Sequence, residues 1–187
     1  IDRLWINVEG HGREIVNEFI DVTRTVGWFT SIYPLFICSS TKFNETLLNS
    51  KRAIREVPNK GFDYGILRYM SDEKITTPDV FMTFNYLGKI DNIALSSNSQ
   101  DFVEVEQEPK IHFLTFIHNE QLTVRIVSKL PKDKSFQLLH SINDIIEYVI
   151  NSKSLGPLYI ESDFPDAEIT EDDLMLIINA SYENGER

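Results

Sequence analysis

Two glycines flank His11 in the stretch Val8-Glu9-Gly10-His11-Gly12-Arg13-Glu14, directly behind the apolar run Leu4-Trp5-Ile6-Asn7-Val8. Residues 4–8 read as a short strand. Glycine lacks a Cβ, so the backbone behind that strand is free to turn sharply or to approach another surface closely. Glu9, Arg13 and Glu14 crowd three charges into this turn, a density unusual for a plain core strand. The chain that follows, Val26 to Ile37, is rich in β-branched and aromatic residues and reads as a long strand interrupted by Pro34. Gly12 to about Phe19 is expected to be a short helical or irregular link between the two.

Periodicity sorts the rest. Phe43, Leu47, Leu48 and Ile54 mark an amphipathic helix over 42–55, closed by Pro58. Tyr64 to Met70 reads as a short helix and Val80 to Tyr86 as a buried strand. After Gly88 a polar connection, Asp91 to Lys110, holds the Ser96-Ser97-Asn98-Ser99-Gln100 cluster; connections of this length are usually functional or mobile. Ile111–Ile117 and Leu122–Val127 form a hairpin candidate joined at His118-Asn119-Glu120-Gln121. Ser135 to Val149 has helical apolar spacing, and Thr170-x-x-Asp173 ahead of Leu174-Met175-Leu176-Ile177-Ile178 resembles a capping-box start to a terminal helix.

Composition limits the function classes. With 187 residues, 42% hydrophobic and 25% charged, the chain can bury one good core. No apolar run is long enough to span a membrane, and no basic-then-apolar leader opens the chain, so a cytoplasmic origin is expected. Cys38 is the one cysteine, which excludes an internal disulfide and a cysteine-rich zinc site. Its apolar neighbours predict a buried, inert thiol. The net charge of -11 argues against nonspecific nucleic-acid binding, which needs cations to displace counterions. From Glu161 onward there are nine acidic residues and one basic, so the preceding 160 carry only -3. The expected organisation is a main unit over 1–160 and an acidic connector with a terminal helix over 161–187.

The segment 8–14 and Arg24-Thr25-Val26-Gly27-Trp28-Phe29-Thr30-Ser31-Ile32-Tyr33-Pro34 resemble the EGHGRE and RTVGWFTxxYP motifs of epimerization domains from non-ribosomal peptide synthetases. Val57-Pro58-Asn59-Lys60-Gly61-Phe62-Asp63-Tyr64-Gly65-Ile66-Leu67 and Phe84-Asn85-Tyr86-Leu87-Gly88 extend the likeness in order, with Asp63 standing where the family has glycine. The resemblance implies an α/β fold like chloramphenicol acetyltransferase, a mixed β-sheet with helices packed on one face. It also implies a two-lobed unit. The family's HHxxxDG motif, whose second histidine is its principal acid/base residue, is absent here; His11, His112, His118 and His140 are all isolated. The chain therefore reads as the C-terminal lobe alone, with 91–110 falling where the family's latch reaches to the N-terminal lobe.

Epimerization removes a proton from Cα of a carrier-bound thioester and returns one to the opposite face, so it needs acid/base groups on both sides and stabilisation of enolate-like charge. In the resemblance Glu9 is the catalytic carboxyl, working best if partial burial raises its pKa, and Tyr86 donates to the enolate oxygen. Asn85 positions the substrate or Tyr86. Arg13, four residues beyond Glu9, reaches Glu9 or a phosphopantetheine phosphate if the segment turns helically. His11 and Trp28 complete the substrate-orienting set. The plainer readings are a solvated Glu9–Arg13 ion pair, a turn-supporting His11, and Trp28, Phe29, Tyr33, Phe62 and Tyr64 as core and tunnel wall. His112 and His118 lack metal-ligand companions and read as structural. No dissociable cofactor site is evident, since GxGxxG and GxxxxGK[ST] patterns are missing; phosphopantetheine is expected to arrive on a peptidyl carrier protein domain. Further expected partners are the N-terminal lobe, adjacent synthetase domains and, through an exposed inter-lobe face, a second copy. Rival functions are a peptide-bond-forming condensation domain and a non-catalytic docking module.

Overall fold

The computed structural model describes residues 3–13, 19–72, 75–90, 109–152 and 158–183. The elements in chain order are β1 (Arg3–Gly10), β2 (Ser31–Cys38), α1 (Phe43–Arg55), α2 (Phe62–Tyr69), β3 (Met82–Lys89), β4 (Ile111–His118), β5 (Gln121–Ser128), α3 (Lys132–Asn151) and α4 (Glu171–Glu183). The strands form one mixed sheet in the order β2-β1-β3-β4-β5, with β1, β3 and β4 parallel and the two edge strands antiparallel to their neighbours. The latch expectation and most of the link after Gly12 lie outside the described residues.

Pro34 sits within β2, opposite Asn7, because β2 is an edge strand: proline cannot donate to a ladder, and on an edge it need not serve two neighbours. β2 is shorter than its composition predicts. The β1 register closes at Gly10 opposite Ser31, so residues 26–30 have no strand to pair with. At the other edge the hairpin turns through Asn119 and Glu120, both at positive φ (48° and 61°), the two-residue geometry that follows the natural strand twist. β3 runs three residues further than expected, through Gly88 at φ 74°, with a register shift between Tyr86 and Lys89.

Cross-strand partners share a face. Ile6, Tyr33, Leu35 and Ile111 lie on one, all buried. Helices pack on this face: Phe136 and Leu139 of α3 flank the same crevice as Val124 and Ile126, and Phe43 of α1 meets Tyr148 of α3 edge-on at 5.5 Å. α2 lies against β2. Its entry is Asn59, Lys60 and Gly61, all at positive φ, so the left-handed backbone lies ahead of Asp63. Asp63 itself is in the first helical turn, accepting from Asn59 Nδ2 at 2.6 Å, and the departure from glycine costs no strain. Cys38 is only partly buried, since β2 ends there at the sheet edge.

Thr170 caps α4 as expected: its N–H donates to Asp173 Oδ2 at 2.9 Å, and the Asp173 N–H donates to Thr170 Oγ1 at 3.2 Å. The acidic segment ahead of α4 is clasped to the basic end of α1. Lys51 and Arg55 both pair with Asp163, and Arg52 pairs with Glu161 at 3.6 Å and Glu171 at 2.6 Å. Lys51 also donates to the Leu158 carbonyl at 2.9 Å, and the Ile160 N–H donates to Asp163 at 2.9 Å. Burial would by itself raise the Asp163 carboxyl, but hydrogen bonds from Lys51, the Ile160 N–H and Arg55 outweigh it and hold the pKa below the ordinary 3.8. A lowered acid pKa means stability that is present above 3.8 and lost as pH falls through the folded value. Asp163→Asn is expected to cost about 1–2 kcal/mol by chemical denaturation at neutral pH, a figure discounted for the exposed part of Arg55. The difference should shrink in about 1 M salt, and a variant as stable as the parent at low salt would remove the clasp from the stability account.

Candidate active site

Glu9 is the penultimate residue of β1, and the parallel register sets it beside Asn85 of β3. Asn85 Nδ2 donates to Glu9 Oε2 at 2.5 Å. Burial raises the Glu9 pKa above its ordinary 4.5, and the Asn85 hydrogen bond opposes only part of that rise. Two residues back along each strand, on the same face, the register aligns Asn7, Thr83 and His112. Asn7 and Thr83 are buried at 8% and 2% exposure. The Thr83 hydroxyl has no hydrogen-bond partner among the described residues. Burial lowers the His112 pKa below 6.5, which favours the neutral ring. The result is a strip of polar side chains across the sheet, with one carboxyl whose pKa burial raises.

Other expected residues sit elsewhere. Tyr86 follows Asn85 directly, and strand alternation sends it to the opposite face, half exposed; a hydroxyl there does not converge with Glu9. Arg13 does not reach Glu9, because Glu9 is in an extended strand and no helical turn joins them. Its guanidinium instead donates to the carbonyls of Val22 (2.7 Å), Thr25 (3.0 Å) and Gly27 (3.4 Å) and lies 4.2 Å from the Phe29 ring centroid. Arg13 thus organises the loop leading into β2. His11 Nδ1 accepts the Arg13 N–H at 3.0 Å, the turn-supporting role. Gly12 is at φ 63°, and a Cβ there would fall 1.5 Å from the Phe29 carbonyl oxygen, so only glycine fits between turn and loop. Trp28 is 75% exposed and forms no core or tunnel wall within this lobe. His118 Nδ1 lies 3.1 Å from the Ile90 carbonyl, a structural contact.

Asn7 and Thr83 were not singled out from sequence, although the strand period of two places them beside Glu9 and Asn85 once both strands are known. A cleft of about 480 Å³ also opens next to the pair, between β2 and α2, lined by Asn7, Ile32, Pro34, Phe62 and Ile66 among others. Among the described residues no group of three His, Cys, Asp or Glu side chains is placed to hold a metal ion, and no helix is long and apolar enough to cross a membrane.

The mixed five-stranded sheet, with three parallel inner strands, two antiparallel edge strands and helices packed against it, is an α/β fold. A model of the Condensation domain family matches residues 2–137, and the chain belongs to that family. A linear gramicidin synthase polypeptide of Brevibacillus parabrevis is 32% identical over 186 residues, which cover 87% of this chain and 4% of that protein. Surfactin synthase subunit 1 of Bacillus subtilis (strain 168) is 32% identical over 198 residues, covering 92% of this chain and 5% of that protein. Among solved structures, the epimerization domain from the third module of tyrocidine synthetase B matches with a TM-score of 0.62 at 29% identity, over 75% of this chain and 35% of that one. The chain therefore spans about a third of that structural relative and about a twentieth of these curated proteins.

Proposed function

We propose that this chain is the C-terminal lobe of an epimerization domain, interconverting L- and D-configured aminoacyl or peptidyl thioesters on a phosphopantetheine carrier. The observation that carries the reading is Glu9: a partly buried carboxyl on the polar strip of the sheet, gripped by one amide and pushed by burial toward the neutral form that proton return requires. Support also comes from the ordered EGHGRE and FNYLG-type segments and from the likeness to the tyrocidine synthetase epimerization domain.

Asn85 holds Oε2 and fixes the carboxyl plane, and Oε1 exchanges the proton. In one direction Glu9 takes the Cα proton; the C–H electron pair moves into the thioester carbonyl, and an acid on the other face delivers a proton to Cα. In the reverse direction Glu9 is the donor. The second acid/base group belongs to an N-terminal lobe, since the HHxxxDG motif does not occur in these 187 residues. The pantetheine arm belongs to the carrier domain and arrives as part of the substrate. The engagement of Arg13 by three carbonyls supports a loop-organising role for it over that of phosphate partner.

The test is α-deuterium incorporation from heavy water into an aminoacyl-loaded carrier, using this lobe joined to its N-terminal lobe. Exchange with appearance of both configurations is the expected result. Amide formation with a downstream acceptor and no exchange would assign a condensation domain instead. Carrier binding with neither reaction would leave a docking module.

A further inference from the structure

The cleft between β2 and α2 adjoins the Glu9 carboxyl through the sheet itself. Ile32 is the cross-strand partner of Glu9, and Pro34 is the partner of Asn7. Both line the cleft, as does Asn7. Opposed residues on one face carry Cβ atoms about 5 Å apart, so the Ile32 wall begins one side chain away from the acid/base group. Phe29, Phe62, Ile66, Met70 and Val80 add further apolar lining.

We infer that this cleft receives the side chain of the residue undergoing epimerization, and that the substrate class is a thioester whose terminal residue carries a large apolar side chain. The assignment rests on the epimerization reading of Glu9. A Cα held against the carboxyl must send its side chain off to one flank, and the Ile32 flank offers about 480 Å³ of apolar room, within the range of small-molecule sites. Among the described residues no carboxylate lines the cleft, so a cationic side chain finds no counter-ion there. Arg68 is at the wall, but its guanidinium donates to the Tyr64 hydroxyl at 3.1 Å and lies 5.5 Å from the Tyr69 ring centroid. The Arg68 charge makes an acidic side chain the rival occupant, against which the mostly apolar lining favours a large apolar one. A small side chain leaves the cleft wetted and forfeits the transfer of apolar surface out of water.

The experiment measures kcat/KM for α-deuterium incorporation with carrier-bound phenylalanyl, leucyl, alanyl, glutamyl and lysyl thioesters, using the two-lobed protein. Phenylalanyl and leucyl substrates are expected to exceed alanyl by about 10- to 100-fold, with glutamyl and lysyl no better than alanyl. Ile66 is 43% exposed, so its replacement leaves the core intact. Ile66→Trp, which fills the cleft, should lower the phenylalanyl-to-alanyl ratio by about 10-fold. Ile66→Ala, which enlarges it, should move the preference toward tryptophanyl substrate. Exchange without side-chain preference, a glutamyl or lysyl preference, or a ratio unmoved by both variants would overturn the cleft assignment while leaving epimerization standing. Failure of every substrate to exchange would bring down both.

Discussion

In the two-lobed protein, Glu9→Gln is expected to lower Cα-proton exchange by about 100- to 10,000-fold, the ordinary contribution of a positioned general acid or base. Glutamine keeps the shape of the side chain, and its carbonyl oxygen still accepts from Asn85 Nδ2, so the local geometry survives while the proton-transfer group is gone. Stability should be unchanged or slightly higher at neutral pH, because burial raises the Glu9 pKa and the ionised form is the one disfavoured by folding. For an acid with a raised folded pKa, the favourable contribution is complete below the ordinary value of 4.5 and declines as pH rises through the folded value. The unfolding free energy of the parent minus that of the variant should therefore fall over that interval, and the variant should lose the exchange-rate limb governed by Glu9. Residual exchange within about threefold of the parent, by mass spectrometry of the released amino acid, would fall far short of a general acid or base contribution and assign the proton transfer to another group.

Gly61→Ala is expected to cost about 2–5 kcal/mol, among the largest single-residue effects on folding in this chain. Gly61 is at φ 82°, and a Cβ there would lie 1.9 Å from Cδ1 of Tyr33. The left-handed backbone alone costs a non-glycine residue about 1–2 kcal/mol, and forcing an atom into packed surroundings adds about 1–3 kcal/mol. Tyr33 cannot easily yield, since it is 6% exposed on the helix-covered face of edge strand β2. At this chain length the change corresponds to a fall in Tm of about 4–20 °C. Gly65→Ala is the control: it sits inside α2 with nothing within 4 Å of its Cβ position, and it should be neutral or stabilising by about 0.5–1 kcal/mol. Equal effects of the two substitutions, by urea denaturation, would show that the Tyr33 contact does not govern the loop.

The local elements were largely legible. α1 and α3 follow from apolar spacing, the β4–β5 hairpin from two alternating runs around a polar turn, and the start of α4 from the Thr170–Asp173 pair, because each depends on neighbours within a few residues. The elements that came out differently depend on distant chain. Val26 to Thr30 has strand composition yet stays outside the sheet, since β1 ends before it, and Arg13 fastens that loop through carbonyls of Val22, Thr25 and Gly27. The acidity of the segment after Glu161 was plain from counting, but its counterpart, Lys51, Arg52 and Arg55 on α1, emerged only from the folded arrangement.

The same division runs through the site. By itself the sequence determined the family motifs, the glycine-punctuated turn around His11, and the presence of Glu9 and Asn85 at or near strand ends, since these are statements about residue type and order. Only the tertiary structure decided that Glu9 and Asn85 are neighbours across 76 positions of chain, that Tyr86 faces away from both, and that Ile32 opens a cleft beside them. The physical reason is the strand period of two: a parallel pairing shifted by one residue would have reversed which side chains meet, and that register is fixed by the packing of whole strands and helices.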